Sequence, residues 1–458
     1  MPARRSDALV FFGSTGDLAF KQIFPALQAL VRRGRLDIPI LAVGRKDLDV
    51  DELRARAKAS IEKSGGFDAA AFAKLAALIR YVKVDYDDAS TFAGIRDALG
   101  SAKHPLHYVA LPPEIFERVA TNLAKAGLND GARLSLEKPF GHDRASAVAL
   151  SDSLHRHFPE EAVFRIDHYL GKESVENLIY FRAANPLIEA TLRRDHVESV
   201  EITMAEAFGV TGRARFYDAV GAVRDVVQNH LLEVVACLTM ELPTERGHVG
   251  LRAERSRLLA QVRALSAGDL VRGQVRGYQN EEGVAKGSTT ETFAALRVFV
   301  DSPRWQGVPF FIRTGKSLPL TATEARIWWK RGDRAVLQDM APPEQNYVRF
   351  RLGPDDAIAA GVNVKRVGEA MVGEREELML RRTRPDETKP YERLIGDALD
   401  GDPTMFAEMA AVEESWRVVD PVVGKGPVSP YEPGTWGPAE ASRIQPPGGW
   451  SDPSPGRS

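Results

Sequence analysis

The sequence predicts an α/β protein in two parts: an N-terminal doubly wound domain on a parallel sheet, then a larger α+β domain on a mostly antiparallel sheet covered by helices. Three observations predict it. The first 170 residues alternate short apolar runs with helical patterns, the rhythm of βαβ units. A glycine turn follows the first run, where a helix opens. After residue 195 the runs alternate apolar with polar residues and long connections separate them, as in an antiparallel sheet with one covered face.

The first domain is justified strand by strand. ALVFFG (8–13), PILAVGR (39–45), IRYVKVDY (79–86), PLHYVALPP (105–113) and RLSLEKPFG (133–141) are nearly continuous in apolar character, as strands covered on both faces should be. Helical patterns lie between them, over 18–33, 48–63, 68–78, 90–99 and 113–127. Another, over 142–157, precedes a sixth strand at 162–168 that closes the domain near residue 170. In the second domain, 171–444, VESVEITMAEAFG (197–209) turns Val200, Ile202 and Met204 one way and Glu201 and Thr203 the other. TETFAALRVFV (290–300), PFFIRTG (309–315), ARIWWK (325–330) and NYVRFRL (346–352) are further strand candidates, with helices over 216–240, 251–263 and 404–417. The end, 445–458, is rich in Pro, Gly and Ser and is expected to be a loose tail.

Composition narrows the function class. The chain has 458 residues, of which 44% are hydrophobic, enough for a sizeable core. Lys plus Arg number 61 and Asp plus Glu 63, a formal charge of −2. That balance argues against a nucleic-acid binder or a polybasic membrane protein, so an anionic ligand must be held by a few local cations. The one cysteine, Cys237, lies in an apolar run. With no disulfide possible inside the chain, a reducing, cytoplasmic compartment is expected. The apolar stretch of the N-terminus is too short for a signal peptide, and no run reaches the length of a membrane span.

The glycine turn, GSTGDLAFKQIF, has the form G-x-x-G-x-x-A at Gly13, Gly16 and Ala19. Small residues there allow a tight turn, close approach of backbone to a pyrophosphate and close helix packing, while the helix N-terminus supplies oriented N–H groups. Its place after the first strand of a βαβ unit points to a Rossmann dinucleotide site; the plainer reading is a turn capped by Ser14 or Asp17. The next strand ends VGRKD, placing Arg45 where NAD readers carry an acid. A cation there suits a 2′-phosphate, so NADP is expected. Asp47, close by, keeps NAD open as a weaker cofactor.

Two polar knots interrupt apolar segments. AVFRIDHYLGKE (162–173) starts as a core strand and ends in Asp167, His168, Tyr169 and Lys172, with a helix opening near Glu173. Ligands bind beyond the carboxyl ends of such strands, so His168, Tyr169 and Lys172, with the helix N-terminus, form a candidate phosphate cradle; a salt-bridged strand end is the alternative. GAVRDVVQNHLLEVVACLTM (221–240) is a greasy helix carrying Asp225 and His230. Five residues apart, they lie about 140° apart around an α-helix and cannot share one narrow stripe. A histidine on such a helix is usually a satisfied core residue, but its polar neighbours lift His230. Glu206 falls on the apolar face of its strand, so it must be paired or line a polar cavity. Lys138, in EKPFG, sits at the ligand edge of the first sheet, and Lys316 follows a strand and a glycine turn.

Together these pieces resemble the glucose-6-phosphate dehydrogenase family. GSTGDLAFKQIFPAL, YVALPP, EKPFG, RIDHYLGKE, RDVVQNH, STTETFAAL and GVPFFIRTGK occur in the family's order along nearly the whole chain, RIDHYLGKE being its signature. The resemblance implies NADP-dependent oxidation of glucose 6-phosphate at C1 to 6-phosphogluconolactone. His230 resembles the general base and Asp167 the carboxylate that orients it. His168, Tyr169 and Lys172 resemble the group around the sugar phosphate, Glu206 and Asp225 the sugar-hydroxyl partners, and Lys138 the lysine spanning sugar and nicotinamide. Gly13, Ser14, Thr15, Gly16, Asp17, Leu18, Arg45 and Tyr86 resemble the cofactor contacts, and Lys316 is expected on the substrate. No metal is implied, because charge leaves C1 as hydride. The family's usual assembly implies a homodimer or homotetramer.

One position departs from the family. Five residues after the lysine of RTGK a second cation is usual; here it is Thr321. Losing a charged hydrogen bond there weakens substrate binding by roughly 1.5–3 kcal/mol, unless a local bend brings Arg326 round. Two other readings remain: a dehydrogenase of a different sugar or sugar phosphate on the same fold, and a non-catalytic NADPH-binding sensor.

Overall fold

The computed structural model describes residues 4–245, 247–332, 344–368, 371–381 and 388–455. The chain divides into two compact units. The first comprises Met1–Glu173, Pro243–Ala253 and Glu387–Glu413; the second is Ser174–Leu242, Glu254–Asp386 and Glu414–Ser458.

The first unit holds six parallel strands, β1 (Ala8–Phe12), β2 (Ile40–Gly44), β3 (Ile79–Lys83), β4 (Pro105–Val109), β5 (Arg133–Glu137) and β6 (Val163–Ile166), in the order β3-β2-β1-β4-β5-β6. This is the expected doubly wound sheet, with its switch point between β1 and β4. Leu9, Val10, Phe11 and Phe12 of β1 are buried on both faces, which is why that strand shows no alternation. Aspartates start the helices between strands. Asp49 accepts the Asp51 N–H, Asp68 that of Ala71, Asp88 that of Ser90 and Asp143 that of Ser146, each satisfying an orphan donor of a first turn.

The six-stranded sheet ends with β6 at Ile166, and two later segments of the chain return to the first unit. Helix Pro390–Asp400 is tied by Arg35, whose Nη2 reaches Asp400 at 2.7 Å and Asp397 at 3.3 Å. Phe406 packs edge-on to Phe164 of β6, ring centres 4.9 Å apart. The returning stretches are short, so no shift in composition announces them.

The second unit carries a nine-stranded sheet: β7 (Val197–Ala205), β8 (Leu270–Val275), β9 (Phe293–Phe299), β10 (Pro309–Gly315), β11 (Ala322–Trp329), β12 (Tyr347–Gly353), β13 (Ala357–Lys365), β14 (Gly373–Arg381) and β15 (Val428–Tyr431). Its order is β14-β13-β12-β11-β7-β10-β9-β8-β15. Only the β7–β10 and β8–β15 pairs are parallel. Four strands escape sequence reading: β8, β13, β14 and β15. β14 is the clearest case. GEREELMLR carries five charges, yet it pairs with β13 along nine residues, so pairing rather than burial makes the strand.

Residues 445–455 correct the expectation of a loose tail. Arg313, fully buried on β10, donates to Asp452 at 2.7 Å and lies between the rings of Trp436 and Trp450 at 4.3 and 4.8 Å. Glu201 of β7 accepts the Ser451 N–H at 2.9 Å, and Arg351 donates to the Ser454 carbonyl at 3.1 Å. The sheet's polar face is thus covered by the chain's own end, whose Pro- and Gly-rich backbone needs few internal bonds when side chains of the sheet supply them. Removing residues 445–458 is predicted to destabilise the second unit by about 1.5–3 kcal/mol, since it takes away the Asp452 and Ser454 acceptors of Arg313 and Arg351. Urea unfolding of the truncated chain checks this; an unchanged midpoint contradicts it.

Candidate active site

In the first unit the glycine turn is built around one carbonyl. Gly13 N–H, Ser14 N–H and the Ser14 hydroxyl all donate to Val43 O, at 3.2, 3.3 and 3.1 Å. Ser14 is therefore a pin between the ends of β1 and β2. Gly13 has φ +79°, and a Cβ there would lie 2.2 Å from Ala110 O, so no other residue fits. Arg56, a residue the sequence reading did not single out, donates to the carbonyls of Thr15 and Gly16 at 3.1 and 3.2 Å. Those carbonyls are thereby turned to protein. Asp17 and Gly16 are exposed, and Thr15 and Leu18 half-buried, at the opening of the helical segment that starts with Ala19.

The residues just after β2 and β3 are likewise set. Arg45 lies 5.7 Å over the Tyr86 ring, and burial pushes the Tyr86 hydroxyl up to about 12. Asp47, the residue that kept NAD open, is paired with Lys83 at 3.1 Å. A cation over an aromatic ring beside a glycine cradle fits a dinucleotide with a 2′-phosphate.

At the end of β5, Glu137 precedes Lys138, which is joined to Pro139 by a cis peptide. Glu137 is buried; it accepts the Tyr108 hydroxyl at 2.5 Å and the Tyr391 hydroxyl at 3.5 Å. Burial raises its carboxyl to about 7, against the opposing pull of Tyr108, Lys138 and Tyr391. At the end of β6, the Asp167 carboxylate accepts the Tyr169 N–H at 2.9 Å, and Asp167 O accepts that of Leu170 at 3.0 Å. This Asx turn projects a cluster: Lys172 Nζ lies 3.8 Å over the Tyr169 ring, His168 is 5.3 Å from Tyr169, and Tyr391 stacks on His168 at 6.4 Å. His168, Tyr169 and Lys172 are thus brought together as expected. Tyr391, from helix Pro390–Asp400, joins them from more than 200 residues downstream, a distance over which the sequence gives no pairing signal.

The second unit supplies the other constellation. The predicted helix 216–240 is three pieces: Ala214–Ala222, a π-helix Val223–Leu231, and Leu232–Thr239. Gly221, at φ +68° and ψ 177°, breaks the first from the second. The π winding corrects the 140° separation of Asp225 and His230. Where hydrogen bonds run from i to i+5, residue i+5 returns roughly over residue i, so the two side chains lie near one face. The neighbouring Asn229 locks the turn: its side-chain oxygen accepts the His230 N–H at 2.7 Å and its Nδ2 donates to Arg224 O at 3.1 Å.

Glu206 has the partner its position demanded, since its carboxylate pairs with Lys316 Nζ. Lys316 lies 5.2 Å over Phe208 and 5.3 Å over Tyr217. Burial, reinforced by the charges of Asp225, Glu291 and Glu206, holds the Tyr217 hydroxyl well above the usual phenol range. Tyr217 therefore keeps its phenol proton beside the carboxylates. Thr321, the departure from the family pattern, accepts the Ala207 N–H at 3.0 Å and fixes the backbone beside Glu206. Arg326 does not substitute for the missing cation. It stands opposite Glu201, four residues along β11 from Ala322, and bonds Glu324 at 3.1 Å.

Comparison with known proteins matches both units. A family model described as "Glucose-6-phosphate dehydrogenase, NAD binding domain" covers residues 10–177, and one described as "Glucose-6-phosphate dehydrogenase, C-terminal domain" covers 179–449. The chain is 39% identical over 451 residues to glucose-6-phosphate 1-dehydrogenase 1 of Mycobacterium tuberculosis, covering 98% of this chain and 97% of that one. A crystal structure of glucose-6-phosphate 1-dehydrogenase from Mycobacterium avium superposes with TM-score 0.93 at 40% identity, covering 99% and 100% of the two chains. A glucose-6-phosphate dehydrogenase in complex with its substrate superposes with TM-score 0.88 at 31% identity, covering 96% and 98%.

Glu137 generates a prediction independent of substrate. Its carboxyl is raised above the unfolded value of 4.5 to about 7, so the folded state binds the extra proton and stability falls as pH rises through that window. At pH 8 the penalty is about 3 kcal/mol by the usual conversion of pKa shift to free energy. Glu137→Gln, neutral throughout, is expected to unfold later than the unmodified protein at pH 8 but not at pH 5. Parallel pH profiles of the two proteins in urea unfolding would refute the assignment.

Proposed function

The chain belongs to the glucose-6-phosphate dehydrogenase family, and we propose that His230 is its general base and Asp167 the carboxylate that orients that base. The protein is an oxidoreductase that oxidises C1 of glucose 6-phosphate with NADP. The observation that carries the residue assignment is the π-helix Val223–Leu231, which turns His230 and Asp225 to a common face and holds the His230 backbone through Asn229.

NADP, when bound, supplies the hydride acceptor. The rest of the work falls to the chain. Oxidation at C1 releases a proton from its hydroxyl, and a neutral imidazole is the natural acceptor near neutral pH. Asp167 favours the imidazolium that forms and fixes the ring's tautomer, as the acid of a hydrolase triad does. His168, Tyr169 and Lys172 hold the phosphate as point donors. Glu206 and Asp225 accept hydrogen bonds from sugar hydroxyls, with Lys316 fixing Glu206. Lys138, at the ligand edge of the first sheet, contacts sugar and nicotinamide. Gly13, Thr15, Gly16, Asp17, Leu18, Arg45 and Tyr86 form the dinucleotide cradle, with Ser14 as its pin. The phosphate donors favour glucose 6-phosphate over a free sugar.

The protein is further proposed to act in the cytoplasm as a homodimer or homotetramer. Among the described residues no helix is long and apolar enough to cross a membrane. Leu378 and Leu380 lie on one face of β14, the edge of the large sheet, and are 65% and 69% exposed, an apolar surface suited to burial against a second copy. Light scattering checks this: Leu378→Glu/Leu380→Glu is expected to lower the assembled mass, and a monomeric unmodified protein overturns it.

Replacing His230 by Asn is predicted to lower kcat by about 10²–10⁴-fold, the usual worth of a general base, while NADPH binding followed by fluorescence is unchanged. Near-normal turnover of that variant would remove His230 from the base role.

A further inference from the structure

The segment STTETFAAL contains three residues that hold the site's parts without belonging to them. Thr290 Oγ1 donates to Asp218 O at 2.7 Å. Thr292 O accepts the Lys316 N–H at 2.9 Å. Between them, Glu291 sits at the N-terminus of the π-helix. Its backbone carbonyl accepts the Ala222 N–H at 3.0 Å, and its carboxylate accepts the Val223 N–H at 3.1 Å. The other carboxylate oxygen takes Arg272 Nε at 3.0 Å and Nη2 at 2.7 Å. Glu291 and Arg272 are 3% and 5% exposed, so the pair is desolvated and fixed in direction. Arg272 is itself held by the carbonyls of Thr289 at 2.8 Å and Gly426 at 3.0 Å.

We propose that Glu291 is a positioning residue for the known reaction: it sets where the π winding begins, and so fixes the face on which Asp225 and His230 are presented. A π segment nine residues long is rare and must be imposed by its surroundings. The first N–H groups of any helix lack partners in the helix, so whatever accepts them decides where the helix starts. Here one residue accepts two of them, from the segment just before β9, where Arg272 holds its carboxylate. Gly221 completes the device. Its φ and ψ fall in a region essentially restricted to glycine, and a Cβ there would lie 2.6 Å from the Glu291 carboxylate. Reversion to α winding would move His230 to about 140° from Asp225.

This proposal rests on His230 and Asp225 serving the reaction, so its test is read in two ways, one of which does not depend on that. Glu291→Gln keeps the shape but removes the charge that fixes Arg272. The pair replacement Glu291→Leu/Arg272→Met removes the acceptor without leaving a buried charge, and so retains the fold. In the pair variant, hydrogen–deuterium exchange over residues 222–231 is expected to accelerate at least tenfold, with exchange of β1 to β6 unchanged. Its kcat/KM for glucose 6-phosphate is expected to fall about 10²-fold, the usual consequence of an ångström-scale misplacement, with NADPH affinity unchanged. Glu291→Gln is expected to lie between the two proteins on both readouts. Unchanged exchange over 222–231 in both variants overturns the clamp, whatever the activity. Accelerated exchange with kcat/KM within threefold of the unmodified protein shows that the winding does not position the site, and overturns the proposal too. The base assignment is judged separately by Glu291-intact His230→Asn.

Discussion

The π-helix Val223–Leu231 is the constraint on which the rest of the site depends. A helix of this sequence in α form would scatter its polar residues around an apolar cylinder. With π winding, Asp225 and His230 come to one face while Val223, Val226, Val227 and Leu231 remain buried. That arrangement is costly for the backbone, and the surrounding polar network holds it in place. Gly221 permits the break, Asn229 bonds within the turn, and Glu291 fixes the start.

Each unit solves a different problem with strand ends. In the parallel sheet, β1, β5 and β6 deliver the glycine turn, Lys138 and Asp167 to the edge where such folds bind ligands. In the large sheet, parallel neighbours β7 and β10 end side by side, Gly315 opposite Ala205. That register is why Glu206 and Lys316, 110 residues apart, can pair. The carboxylate that looked misplaced on an apolar face is thus explained by its neighbour across one ladder.

Much of this was legible in the sequence, and the exceptions have physical causes. The six parallel strands announced themselves because burial on both faces leaves nearly continuous apolar runs. Gly13 was legible because turn geometry allows few residues at that point. His168, Tyr169 and Lys172 were legible because they are adjacent. Tyr391, Glu137, Arg56 and Glu291 were not, since their roles come from contacts distant in sequence. The π winding was hidden because hydrophobic periodicity assumes 3.6 residues per turn, so His230 and Asp225 were placed on different stripes. The end of the chain was misread because Pro and Gly suggest disorder when the residues that anchor them, Arg313, Arg351 and Glu201, lie elsewhere.

The base assignment proposed above has Asp167, at the end of β6, and His230, in the π-helix, serving the same substrate proton. A double-mutant cycle on kcat with Asp167→Asn and His230→Asn tests it most directly, because groups that act together are strongly non-additive. The double variant is expected to be scarcely slower than His230→Asn alone. Losses that multiply, each replacement retaining its full effect in the presence of the other, would contradict it.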